Sequence, residues 1–595
     1  MCGLGCTCGL VHTDVCVHAC GLSARVARER WRLAPSCTSQ YLCSLFGSIA
    51  PPRDAKQPGM KRLFPDSGDE APPREAKQPG EGPQSIGQPC TVNAAGSSQG
   101  NHAQSPLVCN DASSLVSDSS WGGVEVPWPA RLQTFTREAG ETASVKQSRP
   151  IRMHTIFSGI GSPRQAFKDM GYEVEEYVMA ERKLAARDFC FRNNLHPMGC
   201  FFEDVEELVN SGMGKCVVHG SSCYLPSVGA DILVAGFPCT PFSRQTHAPR
   251  DFDTIAGHRE FEKMAWTVRF IEISQPKLVV LENVPNFAGL NSCGTPWSAG
   301  ETSFCDVLCQ KLEALGYAVG WSFLELEPWV EASGSRIYIT AVSNKVPRAS
   351  EAARETIQRI SKVQQWRART PPKSWKSCLL ERETPQWLLA HDRWLVGSLY
   401  AKTPGRKHAR NADEHEDEVE GRWSQEARAF REVLARKGRP YHDASLWTEF
   451  VIRGEAPSLL GVPRPVTARK LELLDLGVAY AYHSRDLDEV SERTTLAVVD
   501  ELIADLSQNP ARRPWADKLK RLTRTSRPYS FSEDRLLFPE DLFRIYGWVN
   551  PDVSALTYAE AVDLLGDSMA LPTLGVVLDS IMVSCRSSLS DLWSA

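Results

Sequence analysis

From Ile151 onward, short apolar runs rich in β-branched residues alternate with longer stretches whose apolar positions recur every three or four residues. The first pattern predicts strands and the second predicts helices. Met153–Ser158 reads as a strand, Pro163–Met170 as a helix, Glu173–Met179 as a strand and Leu184–Asn193 as a helix. Asp231–Ala235 is again a strand, followed by a helix at Glu260–Ile273 and a strand at Leu278–Leu281. A helix at Ser303–Leu315 and strands near Val319–Leu326 and Arg336–Val342 close the series. Alternation of this kind predicts an α/β fold, a doubly wound sheet with right-handed crossovers.

Before Ile151 the pattern is missing. Residues 1–150 are rich in Gly, Pro, Ser and Gln, and the stretch PPRDAKQPG at Pro51–Gly59 returns as PPREAKQPG at Pro72–Gly80. Such polar, proline-bounded units cannot bury a face against each other, so a disordered low-complexity leader is expected over 1–150. The alternation also breaks after Asn344. The chain from 346 therefore reads as a region organised differently from the strand–helix series of 151–345.

Composition narrows this only in places. The 595 residues carry 67 basic and 72 acidic side chains, a formal net charge of −5, so bulk charge neither demands nor excludes nucleic acid. Between Lys345 and Arg410, fifteen Lys or Arg face five Asp or Glu, with Trp366, Trp375, Trp387 and Trp394 interleaved. Basic groups pair with phosphates and aromatics stack on bases, so this interval is the expected DNA contact; tryptophans in a helical core are the plainer alternative. The acidic run Asp413–Glu420 reads as a solvated loop. Of nineteen cysteines, seven lie in the first 43 residues without two-residue knuckle spacing and the rest are scattered, so reduced thiols and no metal site are expected. No apolar run is read as a membrane span. Arg25–Arg32, poor in acids, has the composition of a transit segment.

The chemistry concentrates in DILVAGFPCTPFSRQ, Asp231–Gln245. Gly236 ends the strand, and Pro238 and Pro241 stiffen the loop that holds Cys239 at its carboxyl end, where open α/β sheets place their ligands. With backbone amides nearby and Arg244 and Arg250 following, a lowered thiol pKa and a thiolate nucleophile are expected there; a buried structural cysteine is the commoner reading of a lone Cys. In KLVVLENV, Glu282 and Asn283 leave the end of an apolar strand, and adjacent strands would set Glu282 beside Cys239, able to hold or donate a proton. Arg336 opens SGSRIYITAV, from which a guanidinium can orient Glu282. In IFSGIGSPRQAF, Gly159 and Gly161 make a turn that a ligand can approach, Ser162 and Pro163 open a helix as cap and first residue, and Glu181 closes the second strand where a carboxylate receives ribose hydroxyls. Asp204 stands similarly after the third strand.

FSGIG, Glu181, GFPCTPFSR, LENV, SRIYITAV and GDSMALPTL follow in an order and spacing that resemble the DNA (cytosine-5)-methyltransferases. The resemblance covers roughly 151–345 and 531–583 and implies a Rossmann-like S-adenosylmethionine-dependent methyltransferase fold with an inserted target-recognition domain: 151–345 as the first part of the catalytic domain, 346–530 as the target-recognition or DNA-binding region, and 531–595 as the part that returns to complete the catalytic domain, with Tyr558–Ile581 as its helix. By it, Cys239 is the nucleophile, Glu282 contacts the cytosine ring nitrogen and amine, and Arg336 is the second arginine of a Gln-x-Arg-x-Arg motif. Phe157, Gly159, Gly161, Glu181, Asp204, Pro238 and Ser568 fall on positions that hold S-adenosylmethionine. The chain departs from the family at Thr155 for an aspartate, Thr240 for a glutamine, Ala332 and Gly334 for the glutamine and first arginine, and Asp567 for an asparagine. The expected partner is double-stranded DNA, acted on by a monomer in the nucleus or an organelle. RNA is the alternative substrate, because one branch of the family methylates transfer RNA. A DNA-binding scaffold with weak turnover ranks below both, since Cys239, Glu282 and Arg336 are all present.

Overall fold

The computed structural model describes residues 127–141, 147–226, 229–242, 259–290, 294, 302–396, 473–474, 476–477, 480–481, 500–508, 514–533, 535–589 and 591–592. The leader up to residue 126, its repeat and cysteines, the acidic run at 413–420 and both Arg244 and Arg250 lie outside the described residues.

The described chain opens with helix α1 (Trp128–Glu138), before the point where the sequence pattern begins. The expected leader boundary at 150 is therefore too late. Trp128, Leu132 and Phe135 are buried, and a Cβ on Gly575 would meet the Trp128 ring at 2.1 Å, so this helix is part of the core. Three large apolar side chains in eleven residues are too few to stand out from a polar leader.

Strand β1 (Ile151–Ile156) leads into α2 (Ser162–Asp169), then β2 (Val174–Ala180), α3 (Leu184–Arg192), β3 (Cys200–Phe202) and α4 (Val205–Ser211). Gly161, in the left-handed region at φ 75°, caps α2, so Ser162 is its first residue and not the expected cap. A hairpin, β4 (Met213–Cys216) and β5 (Ser221–Tyr224), precedes β6 (Ile232–Ala235), α5 (Glu262–Ser274) and β7 (Leu278–Asn283). Helix α6 (Phe304–Ala314), with a Ser303–Asp306 capping box, precedes β8 (Tyr317–Leu324) and β9 (Arg336–Ser343).

These nine strands form one sheet in the order β5-β4-β3-β2-β1-β6-β7-β9-β8. Strands β3, β2, β1, β6 and β7 are parallel, while β9 runs antiparallel between β7 and β8. The order grows outward from β1 in both directions, so the switch point lies between β1 and β6, and its carboxyl edge is the natural ligand crevice. Register sharpens this: Ile156 pairs with both Ala180 and Ala235, and Ala235 pairs with Leu281. The residues just past these ends share one rim.

At the opposite edge, Asp231 is fully buried between Arg149, Arg152 and Lys277. Burial pushes its carboxyl up, but the bonds from Arg149 and Arg152 outweigh this and bring it to about 2.

Helix α7 (Ala349–Arg367) packs on β8 and β9, so the region from 346 does not stand apart from the catalytic sheet as expected. After α8 (Pro385–His391), a small sheet of β10 (Ile503–Asp505), β11 (Trp515–Ala516), β12 (Pro528–Ser530) and β13 (Arg535–Leu536) follows, then α9 (Pro539–Ile545). The expected helix over Tyr558–Ile581 is two, α10 (Tyr558–Gly566) and α11 (Leu571–Ser584), broken around the GDSMA turn. Contrary to the expectation of no such run, Tyr558–Ser584 is apolar and long enough to cross a membrane by composition, but 78% of its apolar window is buried inside the fold. Helix α11 lies against α1, α2, α7 and β7, which accounts for its apolarity on all sides.

Candidate active site

Cys239 follows β6 in a loop held from beneath. Asn283 Nδ2 donates to the Phe237 carbonyl at 3.2 Å, and Asn286 Nδ2 donates to that of Phe242 at 2.6 Å. Phe242 meets Phe287 edge-on at 4.7 Å, and Phe237 meets the same ring at 5.4 Å. The loop is thus fixed by the residues of LENVPNF as well as by its own prolines, with Pro238 half-buried beside Cys239.

Glu282 stands at the end of β7, with its carboxylate in a salt bridge to the Arg336 guanidinium of β9. Both side chains are about nine-tenths buried, 10% exposed each. Gly236 shows why no larger residue fits under this pair: a Cβ there would lie 2.7 Å from Met569 Cε and 3.3 Å from Glu282 Oε2. The loop of Cys239, the acid and the GDSMALP turn therefore meet at Gly236.

The expected lowering of the Cys239 pKa does not occur. Burial pushes the thiol up, and the Arg521 and Arg336 guanidiniums pull against that burial. Arg521 was not legible as a site residue. It arrives through a parallel bridge of Leu519 to Ala332, and its amide donates to Ser333 Oγ at 2.8 Å. Burial, then repulsion by Arg336, lower its guanidinium to about 10, which leaves it charged at neutrality. A second cation thus acts on the Cys239 thiol through its charge although position 334 is glycine.

On the same rim, Phe157, Gly159 and Gly161 all have left-handed backbones, with φ of 51°, 54° and 75°. Gly159 N–H and Lys183 N–H each donate to the Glu181 carboxylate at 2.8 Å. Burial raises the Glu181 pKa against those two bonds. A Cβ on Gly159 would meet nothing within 4 Å, so the turn faces open space. A carboxylate with unused lone pairs beside such a cradle suits a ribose-bearing ligand. Thr155 bonds Ser158 Oγ at 2.7 Å and the buried Glu176 carboxyl, so an acid lies across from the position where the family's aspartate is absent.

The remaining candidates have structural partners. Asp204 caps α4 by accepting from Glu206 N at 2.9 Å. Ser568 is buried, with its hydroxyl donating to the Leu565 carbonyl at 2.9 Å. Asp567 binds Lys183 at 2.6 Å and Arg524 at 2.9 Å, tying the last motif to the second strand.

The basic interval divides: Lys345, Arg348, Arg354, Lys362, Arg369 and Arg382 are exposed, while other basic and aromatic side chains turn inward. Arg359 is buried against Glu141 and Asp579, and Arg367 is buried on Thr370 and the Pro371 carbonyl. Trp375 is fully buried, Trp366 donates to Glu138 at 2.6 Å, and Trp394 donates to Glu540 at 2.7 Å. Arg406 and Lys407 lie outside the described residues. The expectation of no metal site is also overturned in its premise, since the fold gathers Cys200, Cys216, His219 and Cys223.

Residues 151–426 match the family model of C-5 cytosine-specific DNA methylases. The Type II methyltransferase M.Bsp6I of Bacillus sp. (strain RFL6) is 30% identical over 198 residues, 33% of this chain and 53% of that protein. The DNA-cytosine methyltransferase of Escherichia coli (strain K12) is 26% identical over 217 residues, 34% of this chain and 42% of that protein. The chain spans about half or less of the length of these curated relatives. Among solved structures, the methyltransferase EhMeth of Entamoeba histolytica aligns at TM-score 0.35 and 10% identity over 73% of this chain and 98% of that one. A mutant of Spodoptera frugiperda DNMT2 aligns at 0.35 and 12% over 73% and 99%. The matched residues include the strands that carry Cys239, Glu282 and Arg336, so this part of the chain is similar to the C-5 cytosine-specific DNA methylases, whose methyl donor is S-adenosylmethionine.

Proposed function

We propose that the chain transfers a methyl group from S-adenosylmethionine to carbon 5 of cytosine in DNA through a covalent adduct on Cys239. The observation that carries this reading is the convergence of the Cys239 loop, the Glu282–Arg336 pair and the Gly159–Glu181 turn on one rim of the sheet.

Carbon 5 of cytosine is too weak a nucleophile to be methylated directly. Attack of the Cys239 thiolate on carbon 6 forms an S–C bond and moves the ring's π electrons toward carbon 5. Glu282, steadied by Arg336, supplies a proton at the ring nitrogen as charge develops there. The cofactor, when bound, supplies the methyl group and leaves as its thioether. Loss of the carbon 5 proton to water then returns an electron pair to the ring and expels the Cys239 thiolate, and the ring nitrogen gives its proton back to Glu282. Because carbon 6 is inaccessible within a stacked duplex, the base must be extruded. Glu181, with Gly159 and Gly161, is the group we assign to the cofactor's ribose side; Phe157, Asp204, Pro238 and Ser568 would surround it. Arg521 is assigned to the charge balance of the thiolate.

Transfer of tritiated methyl from S-adenosylmethionine to duplex DNA, single-stranded DNA and transfer RNA in parallel tests the reading. Label confined to carbon 5 of cytosine in DNA is expected. Label in transfer RNA alone, or in none of the three, would overturn it.

A further inference from the structure

At the outer edge of the sheet, far along the strand order from Cys239, four side chains without a part in this chemistry converge. Cys200 lies in β3, Cys216 ends β4, His219 sits in the hairpin turn, and Cys223 lies in β5. Their ligand atoms all fall within 4.8 Å of one another. We propose that Cys200, Cys216, His219 and Cys223 form a closed Cys3His zinc site that staples the β4–β5 hairpin to the sheet.

Distances support a shared ion. The three sulfurs lie 3.7, 3.3 and 3.3 Å from His219 Nδ1. Zinc with sulfur at about 2.3 Å and nitrogen at about 2.0 Å in tetrahedral array separates S from N by about 3.5 Å. Hydrogen bonding explains the cluster less well. A neutral imidazole nitrogen offers one lone pair, so three thiols around it cannot all be satisfied. A disulfide between any two sulfurs would strand the third. One cation coordinated by three thiolates and an imidazole satisfies every atom, and that donor set favours zinc over the hard cations. With four protein ligands, the site has no open position for a reactant, so its role is structural.

The hairpin needs such a staple. Strand β5 reads SSCY, with Ser221, Ser222 and Tyr224 exposed, and β4 meets β3 through the single paired position Phe202–Cys216. Gly220, at φ 64°, turns the chain so that His219 comes back between the two flanking cysteines. Strand β3, on which the hairpin stands, accepts the Glu181 amide at the Phe202 carbonyl, 3.1 Å away. The C-x2-H-x3-C run from Cys216 to Cys223 is a local signal, but Cys200 joins it only through the strand pairing.

Metal analysis of the full chain, purified with reductant and without chelator, tests this. The paired variant Cys216→Ser/Cys223→Ser should hold one zinc fewer per chain than wild type, whatever the cysteines before residue 50 bind. His219→Cys, which keeps four ligands, and Cys309→Ser, outside the cluster, should hold as much zinc as wild type. Because the paired variant can unfold locally, iodoacetamide labelling of the wild type gives a second readout: Cys223 should be protected until a zinc chelator is added. Equal zinc in wild type and paired variant, labelling of Cys223 as fast before chelation as after it, or a disulfide joining two of the three cysteines would overturn the proposal.

Discussion

Arg336 and Glu282 face each other across neighbouring antiparallel strands, guanidinium to carboxylate, at the point where the Cys239 loop passes over Gly236. Neither side chain can be removed without leaving the other charged and buried. Glu282→Gln should lower kcat by about 10²-fold or more, the range of a lost general acid, with little change in the KM for the methyl donor. Arg336→Ala should do nearly the same. The double variant should be no worse than the poorer single one, because the pair acts as a unit. A double-mutant cycle in kcat reads this out; additive losses would show that the two act separately.

Arg521 acts on the thiol through its charge from a segment far along the chain. Since burial raises the Cys239 pKa and Arg521 and Arg336 oppose it, removing one cation should raise it further. The thiolate fraction, and with it kcat/KM on the acid side, should then need a higher pH. Arg521→Gln is expected to move both the pH dependence of Cys239 alkylation and the rising limb of kcat/KM upward. An unmoved alkylation profile would assign Arg521 to packing alone.

Helix α1 is held by Trp128, whose ring occupies the space that a side chain at Gly575 would need. Trp128→Ala should cost about 3–5 kcal/mol in denaturant unfolding. Gly575→Ala should destabilise the wild type by about 1–3 kcal/mol through overpacking and cost less when Trp128 is already alanine. Equal costs in both backgrounds would contradict this contact.

Glu176 is fully buried beneath Thr155, and burial raises its pKa from 4.5 to about 7. The folded state therefore holds the proton that the unfolded chain releases near 4.5. Stability from this group is complete below that pH and is lost as pH rises toward 7, by on the order of 3 kcal/mol. Glu176→Gln should flatten this part of the stability–pH curve. A curve of unchanged slope from pH 4.5 to 7 would show that Glu176 does not titrate as its burial implies.

The parts of the site legible in the sequence were those whose chemistry is local. Cys239 between two prolines and Glu282 at the end of LVVLEN declare themselves because a short apolar strand fixes where the next residue points. Arg336 was legible from its place at a strand start. The rest depended on pairing across long separations. Arg521 reaches the thiol through the Leu519–Ala332 bridge, and Cys200 reaches its three partners through β3 and β4. A charge count resolves the basic interval only in part, because composition does not tell which way a side chain faces. Arg359 and Arg367 raise the basic count of their interval, yet both turn inward, Arg359 to Asp579 and Glu141 and Arg367 to the turn after its own helix. Thiol chemistry was misjudged similarly, because the buried loop that holds Cys239 works against the charge that its cations favour.

The proposed activity turns on a bond between Cys239 and carbon 6 of the target base. Duplex DNA carrying 5-fluorocytosine tests it most directly, because methylation can proceed but fluorine cannot leave carbon 5 as a proton does, and the adduct is trapped. Incubation with S-adenosylmethionine, denaturation and peptide mass spectrometry should find a methylated fluorocytosine attached to Cys239, absent without the methyl donor and absent in Cys239→Ser. Methyl transfer to ordinary cytosine with no such adduct, or an adduct on a different residue, would contradict the account.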